Sequence, residues 1–205
     1  MKKIFLLFAL TSALFSCKKE TNTTNHSENS TISTHYIGEE FGGGVIFHLW
    51  KDKLGSEHGL VVAKSDQSTS QNWSNITNVE IGQTSRSNWD GLKNSNAIVG
   101  QQGHNSSAAK LCLDLVSGGY DDWYLPAIDE LSLLYFNLFD VNNSLNLISD
   151  AKIISNVNNN FDWSYWSSTE GIDDGGKPWN FNFYNGNKFD DSKSFQIYVR
   201  AIRRF

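Results

Sequence analysis

Cysteine is scarce in this chain, and no spacing typical of a metal site occurs. The 205 residues include two cysteines, Cys17 and Cys112, and five histidines that are scattered along the sequence. Neither a C-x-x-C nor an H-E-x-x-H motif is present, so the sequence makes no case for a zinc site. Cys112 lies in an apolar segment with helical spacing, which predicts a buried structural thiol instead of a nucleophile.

An excess of positive charge is also lacking. The formal net charge of the chain is -5. Nucleic-acid-binding domains are usually basic, so no nucleic-acid partner is expected. An acidic or sulfated polymer would need a local basic patch that works against the overall charge.

No apolar run is long enough to span a bilayer. Ile4–Leu14 falls short of the roughly 20 residues that a spanning helix needs. Lys2 and Lys3 precede this run and Ser16-Cys17 follows it, a pattern that resembles a bacterial lipoprotein signal, in which the cysteine is acylated and becomes the mature N-terminus. The alternatives are an ordinary cleaved signal, which would want an A-x-A-like site, and a short membrane anchor.

The predicted domain organisation follows from this signal. Residues 1–17 are the expected signal peptide with lipidated Cys17, and Lys18 after the cysteine resembles outer-membrane routing, with the domain facing either the cell surface or the periplasm. Residues 18–35 are rich in Ser, Thr, Asn and charge, which predicts a flexible tether. Residues 36–205 are predicted to form a single domain. With Cys17 acylated, Cys112 has no partner for an internal disulfide.

The pattern of elements in this domain predicts an α+β fold with two helices and short antiparallel sheets. The apolar runs Val45–Trp50 and Gly59–Ala63 predict a hairpin, and residues 65–100 are predicted to be mostly loop. A first helix is expected from a cap at Asn105 or Ser106 to about Val116, and a second from Ala127 to Phe139, after Pro126. Further strands are expected at 164–169, 179–184 and 195–205.

Three strings in the second half of the domain are its strongest fold markers: Trp123–Leu131, Tyr165–Glu170 and Val199–Phe205. Together with Gly42–Phe47 and Ala108–Cys112 they resemble the C-terminal domain family of the Legionella collagen-like protein, in a lipoprotein of the Bacteroidetes type. The resemblance covers nearly all of residues 41–205. It implies a C-type-lectin-like fold, which is similar to that of the formylglycine-generating enzymes, and a polysaccharide or host-matrix glycan as ligand.

One stretch of the sequence has the composition of a sugar-binding surface. Aromatic rings stack on the C–H faces of sugars, and asparagine side chains bond to hydroxyl groups. We predict that the ligand-binding residues are Trp163, Tyr165, Trp179, Asn180, Asn182 and Asn185. The alternative is that the aromatic residues form the core and the asparagines the solvated face, because side chains alternate along a strand.

Calcium is the other ligand that this region could hold, since Asp173, Asp174, Asp190 and Asp191 lie in or beside glycine-containing turns. The Glu-Pro-Asn, Gln-Pro-Asp and Trp-Asn-Asp motifs of calcium-dependent lectins are missing, which favours solvated turns. No metal or other cofactor is therefore predicted.

Catalysis is not predicted either. The formylglycine-generating enzymes need a pair of cysteines in the C-terminal part of the domain, where this chain has none. No Ser-His-Asp or paired-carboxylate arrangement is evident. The sequence therefore predicts a non-enzymatic binding or adhesion module on an outer-membrane lipid anchor. The alternative is a protein-interaction or structural lipoprotein of the cell envelope.

Arg200 and Arg203 are expected on opposite faces of the last strand, one of them paired with Glu130 or Glu170.

Overall fold

The computed structural model of the protein describes residues 34–154, 163–172 and 175–205. All of these belong to one compact unit, Ile32–Phe205. The predicted signal peptide, Cys17 and residues 18–33 of the predicted tether lie outside the described residues. Asp173 and Asp174 lie outside them as well.

Strands and helices alternate irregularly along the chain, as expected for an α+β fold. The strands of the described residues are β1 (Glu40–Phe41), β2 (Gly44–Lys51), β3 (Glu57–Ala63), β4 (Ser68–Asn72), β5 (Ser164–Glu170), β6 (Pro178–Asn182), β7 (Lys188–Asp190), β8 (Gln196–Val199) and β9 (Ile202–Arg204). The helices are α1 (Gly91–Val99), α2 (Ala108–Leu113), α3 (Ile128–Phe136) and α4 (Leu138–Leu147), and a 3-10 turn spans Gly82–Ser85.

These strands form two sheets. The first has the order β1-β2-β3-β9 and is antiparallel throughout. The second has the order β4-β8-β5-β6-β7 and is antiparallel except where β5 runs parallel to β8. The predicted α+β class with antiparallel sheets is confirmed.

Both faces of the first sheet are covered by apolar side chains. Along β2, Val45 and Phe47 belong to one hydrophobic cluster and Ile46 to another. Leu60 and Val62 of β3 join the first cluster, together with α3, α4, β5 and β6, whereas α1 and α2 contribute to the second. This two-sided burial explains why β2 is a continuous apolar run instead of an alternating one.

Both predicted helices are present, and two more appear: α1 lies in the segment predicted to be mostly loop, and α4 extends beyond the end of the predicted second helix. Helix α1 begins after Asp90, whose carboxylate accepts a hydrogen bond from the backbone N–H of Lys93 at 3.0 Å. Helix α4 continues directly from α3 through Asn137 and buries Val141 and Leu145, which lie four residues apart on one face. The many Asn and Ser residues of both segments hid these helices, because such residues have low helix propensity.

The C-terminal segment is two strands that belong to different sheets, instead of the single strand that was predicted. Arg200 lies between them and pairs with Asp66 at 3.0 Å, while Arg203 of β9 pairs with Asp122. The two carboxylates that were expected to pair with one of these arginines bind other cations: Glu130 binds Arg204 and Glu170 binds Lys193. The predicted pairing was wrong because a period-two argument assumes one uninterrupted strand.

Candidate functional site

The residues predicted to bind a ligand lie together, but mostly inside the domain. Trp163 precedes β5, Tyr165 lies in it, and both are buried. Asn180 and Asn182 of β6 are buried too, and Trp179 is half-buried. Asn185, in the turn after β6, is exposed. The alternative, in which the rings form the core and the asparagines the solvated face, does not describe β6 either, since Asn180 and Asn182 are as buried as Phe181 and Phe183.

The two buried asparagines of β6 have hydrogen-bond partners within the protein, although Oδ1 of Asn180 is buried without one. Asn180 donates to the backbone carbonyl of Phe189 at 3.1 Å and to the carboxylate of Asp191 at 2.8 Å. The side-chain carbonyl of Asn182 accepts from the backbone N–H groups of Tyr184 and Asn185. In the structure these two amides hold the β6–β7 turn.

An exposed surface that combines aromatic rings and asparagines lies where α3 meets α4. We call it the elbow surface; it is lined chiefly by Tyr135, Phe136, Phe139, Asn143, Asn146 and Tyr184 and forms an open depression of about 720 Å³. Phe136 and Phe139 are 78% and 77% exposed. Rings with this exposure, beside amide side chains, are available to a ligand.

Helix geometry explains why these rings point outward. Leu131 and Leu134 of α3 and Val141 and Leu145 of α4 face the first hydrophobic cluster. The exposed residues of this segment recur at intervals of three and four: Phe136, Phe139, Asn143 and Asn146. The sequence carried this signal, because Leu131, Leu134 and Leu138 form the apolar stripe of the predicted second helix, and Phe136 and Phe139 fall outside it.

Two smaller depressions continue from the elbow surface along α3. The middle depression, of about 350 Å³, shares Tyr135 and Phe136 with it and adds Ser132 and Lys188. The hairpin depression, of about 250 Å³, is lined by His48, Trp50, Leu60, Trp89, Glu130, Leu133 and Arg204. Trp89 and Leu133 line both of these smaller depressions. We refer to the three together as the α3 band.

A β-bulge in β2 shapes the hairpin depression. The register passes from Ile46 opposite Val61 to His48 opposite Leu60, so that Phe47 is the extra residue. Bulges redirect the side chains that follow them. His48 therefore lies on the same face as Leu60, where it lines the depression, and its imidazole stacks on the Trp50 indole at 5.8 Å between ring centroids. Partial burial lowers the pKa of His48.

The floor of the hairpin depression is an ion pair between Glu130 and Arg204. Nη2 of Arg204 lies 3.0 Å from Oε1 of Glu130 and also donates to the backbone carbonyl of Trp89. The same carboxylate accepts hydrogen bonds from the Tyr124 hydroxyl and from the backbone N–H groups of Gly91 and Ala127. Burial nevertheless raises the pKa of Glu130 above its ordinary value.

The remaining polar and reactive groups are placed as follows. Among the described residues, no group of three or more His, Cys, Asp or Glu side chains is arranged to hold a metal ion. Asp190 is exposed, and Asp191 accepts from Asn180. Cys112 is fully buried, and this burial strongly raises the pKa of its thiol. Within the described ranges, no helix combines the length and apolarity needed to cross a membrane.

A known protein family matches most of this domain. The family model described as Lcl C-terminal domain matches residues 62–203, which is well over half of the chain. The match confirms the resemblance deduced from the Trp123–Leu131 and Tyr165–Glu170 strings. It includes α3, α4 and Trp89, and therefore most of the α3 band. No sequence among the curated proteins matches the chain.

Proposed function

The chain belongs to the Lcl C-terminal domain family, and we propose that its domain is a non-enzymatic binding and adhesion module for an uncharged glycan, held on the elbow surface. The observation that carries this proposal is the pair of exposed rings Phe136 and Phe139 beside Asn143 and Asn146. Aromatic rings offer flat apolar faces to the C–H groups of a sugar. Amide side chains both donate and accept hydrogen bonds, as sugar hydroxyl groups require.

The electrostatics of the band favour an uncharged ligand. Lys188 pairs with Asp129 at 2.6 Å and Arg204 pairs with Glu130 at 3.0 Å. The cations that line the middle and hairpin depressions are therefore both neutralised by a carboxylate. The net charge of the whole chain, -5, also opposes a polyanion.

A binding role without catalysis is consistent with the state of the buried acids. Glu130 and Glu170 are buried carboxylates, a type of group that catalytic sites use, but the oxygens of both accept hydrogen bonds from groups within the protein. Glu170 accepts from Lys193 and from the backbone N–H groups of Ile81 and Gly82. The oxygens of both carboxylates are thus engaged by contacts within the fold.

We further propose that Cys17 carries a lipid anchor and that the domain is displayed from the outer membrane, as in lipoproteins of the Bacteroidetes type. The support is the sequence pattern Lys2-Lys3, apolar run, Ser16-Cys17. Metabolic labelling with an alkyne-tagged fatty acid is expected to mark the wild-type chain and not a Cys17→Ser variant. Equal labelling of the two chains would show that Cys17 is not the lipidated residue.

A glycan array probed with the purified full-length chain tests the binding function. We expect binding to neutral oligosaccharides, unchanged by a calcium chelator, and at least about tenfold weaker binding in Phe139→Ala, which corresponds to 1.4 kcal/mol. Phe195→Ala is the matched control, since Phe195 is 53% exposed and lies outside the α3 band. Loss of signal on chelation would show that binding depends on calcium, and Asp190 and Asp191 would be the first candidates for its ligands.

The array also separates the rival function from this one. A blank array combined with one stoichiometric protein recovered in a pull-down would favour a protein-interaction or structural lipoprotein. Equal weakening by Phe139→Ala and Phe195→Ala would move the glycan site away from the elbow surface.

A further inference from the structure

The hairpin depression, at the other end of α3 from the elbow, has its own set of ligand-contacting groups. The Trp89 indole is 57% exposed at its rim. The Trp50 indole is stacked between the rings of His48 and His58, at centroid distances of 5.8 and 5.6 Å. The depression therefore offers aromatic surface beside the nitrogen donors of Arg204, as the elbow surface offers rings beside amides.

The position of Trp89 is set by contacts that do not involve its ring. Its backbone carbonyl accepts from Arg204 at 3.1 Å, and its backbone N–H donates to the Ser87 hydroxyl at 3.2 Å. The neighbouring Asn88 carbonyl accepts from the backbone N–H of Asp129 at the start of α3. The ring is thus held over the depression by a backbone that is fixed at several points, and removing the ring leaves these bonds in place.

The three depressions of the α3 band are continuous with one another. Tyr135 and Phe136 line both the elbow surface and the middle depression, and Trp89 and Leu133 line both the middle and hairpin depressions. The nine residues of α3 measure about 13 Å along the helix axis, and the band continues past both ends of this helix. The band is therefore longer than a single sugar ring.

We infer that the α3 band binds several consecutive sugars of one uncharged polysaccharide chain, with the hairpin depression as a second subsite. This inference rests on the proposed function, because it assumes that the elbow surface holds a glycan. The paired charges Lys188–Asp129 and Arg204–Glu130 lie between and within the subsites and complement an uncharged chain. Two weak subsites on one ligand strengthen binding by raising the effective concentration at the second.

Calorimetric titration with neutral oligosaccharides of increasing length tests the second subsite. The probes are manno-, malto- and cello-oligosaccharides from the disaccharide to the octasaccharide, titrated into the full-length chain. We expect affinity to rise with length in the series that binds. Trp89→Ala is expected to lower the affinity for the octasaccharide at least tenfold and to leave the affinity for the disaccharide unchanged. Trp89→Phe is expected to retain part of the octasaccharide affinity that Trp89→Ala loses.

Two further variants complete the design. Leu92→Ala is the local control, because Leu92 is exposed, lies three residues from Trp89 and lines none of the three depressions. Phe139→Ala is expected to lower the affinity for the octasaccharide and for the disaccharide alike. Circular dichroism of each variant checks that the fold is retained.

The outcomes that would overturn the inference can be told apart. If the disaccharide binds as tightly as the octasaccharide, or if Trp89→Ala leaves the octasaccharide affinity unchanged, the second subsite fails and the glycan-binding function stands. If the wild-type chain binds none of the probes and the array is blank, both fail together.

Discussion

Arg204 and Glu130 meet on the floor of the hairpin depression, with 3.0 Å between Nη2 and Oε1. This contact joins the last strand to the first turn of α3. Because Glu130 also accepts from the backbone N–H of Gly91 and Arg204 donates to the carbonyl of Trp89, the loop before α1 is attached at the same point. Three segments that are distant in sequence thus converge on one buried carboxylate.

The pH dependence of stability should report on Glu130. Its pKa is raised in the folded state, so the folded protein binds the proton more tightly than the unfolded chain, where the ordinary value is 4.5. Its contribution to the free energy of unfolding therefore falls as the pH rises from about 4.5 through the raised pKa, and is constant above it. Urea unfolding across this range should show the wild-type stability falling relative to that of Glu130→Gln. A difference that grows with pH would contradict the assignment.

Lys193 and Glu170 form a buried ion pair whose disruption should be costly. Nζ of Lys193 lies 2.7 Å from Oε1 of Glu170, and both side chains are almost fully shielded from solvent. Lys193→Met leaves the carboxylate without its counter-charge and is expected to lower the free energy of unfolding by about 3–5 kcal/mol. Adding Glu170→Gln should recover part of this loss, since the charge that lacks a partner is removed.

An exposed ion pair serves as the control for this substitution. Lys110 of α2 and Asp114, which follows the last residue of α2, are also 2.7 Å apart, but their side chains are 45% and 59% exposed. Lys110→Met should cost less than about 1 kcal/mol. Urea unfolding curves that show similar losses for Lys193→Met and Lys110→Met would mean that the buried pair contributes no more than a surface pair.

Gly91 should not tolerate a side chain. A Cβ atom at this position would lie 2.6 Å from both Oε2 of Glu130 and the backbone carbonyl oxygen of Leu125. Gly91→Ala is therefore expected to lower the free energy of unfolding by about 1–3 kcal/mol. Gly100→Ala is the control, because Gly100 is exposed at the end of α1 with a φ of -75° that alanine adopts freely. Equal stability of the two variants in urea would show that α3 shifts to make room.

The elements that the sequence predicted well are those with a strong local signal. The β2–β3 hairpin follows from two apolar runs around a polar turn, and α3 from Pro126 and the spacing of Leu131 and Leu134. The cap of α2 was placed one or two residues too early, at Asn105 or Ser106 instead of Ser107. Helices α1 and α4 were missed because tertiary packing of a few apolar residues outweighs their weak propensity.

The sequence predicted a binding surface of aromatic rings and asparagines, but it could not determine which of these side chains are exposed. Aromatic rings beside asparagines were expected around β5 and β6, where Tyr165, Asn180 and Asn182 are buried. The same combination occurs on the surface at Phe136, Phe139 and the asparagines of α4. Burial is decided by which faces of which elements meet, and β6 is covered on both sides because α3 packs against it and its asparagines find internal partners.

Taken alone, the sequence determined the fold class, the family and the existence of a hairpin and two central helices, because periodicity and short motifs are local properties. It also carries the pattern from which a lipid anchor at Cys17 is proposed. Only the tertiary structure decided that Trp50, Trp89 and Phe139, which are far apart in the chain, line one continuous band, and that Arg204 is the partner of Glu130. These relationships depend on how α3 packs against two sheets and on a bulge at Phe47, and such long-range contacts leave no periodic trace in the residues that make them.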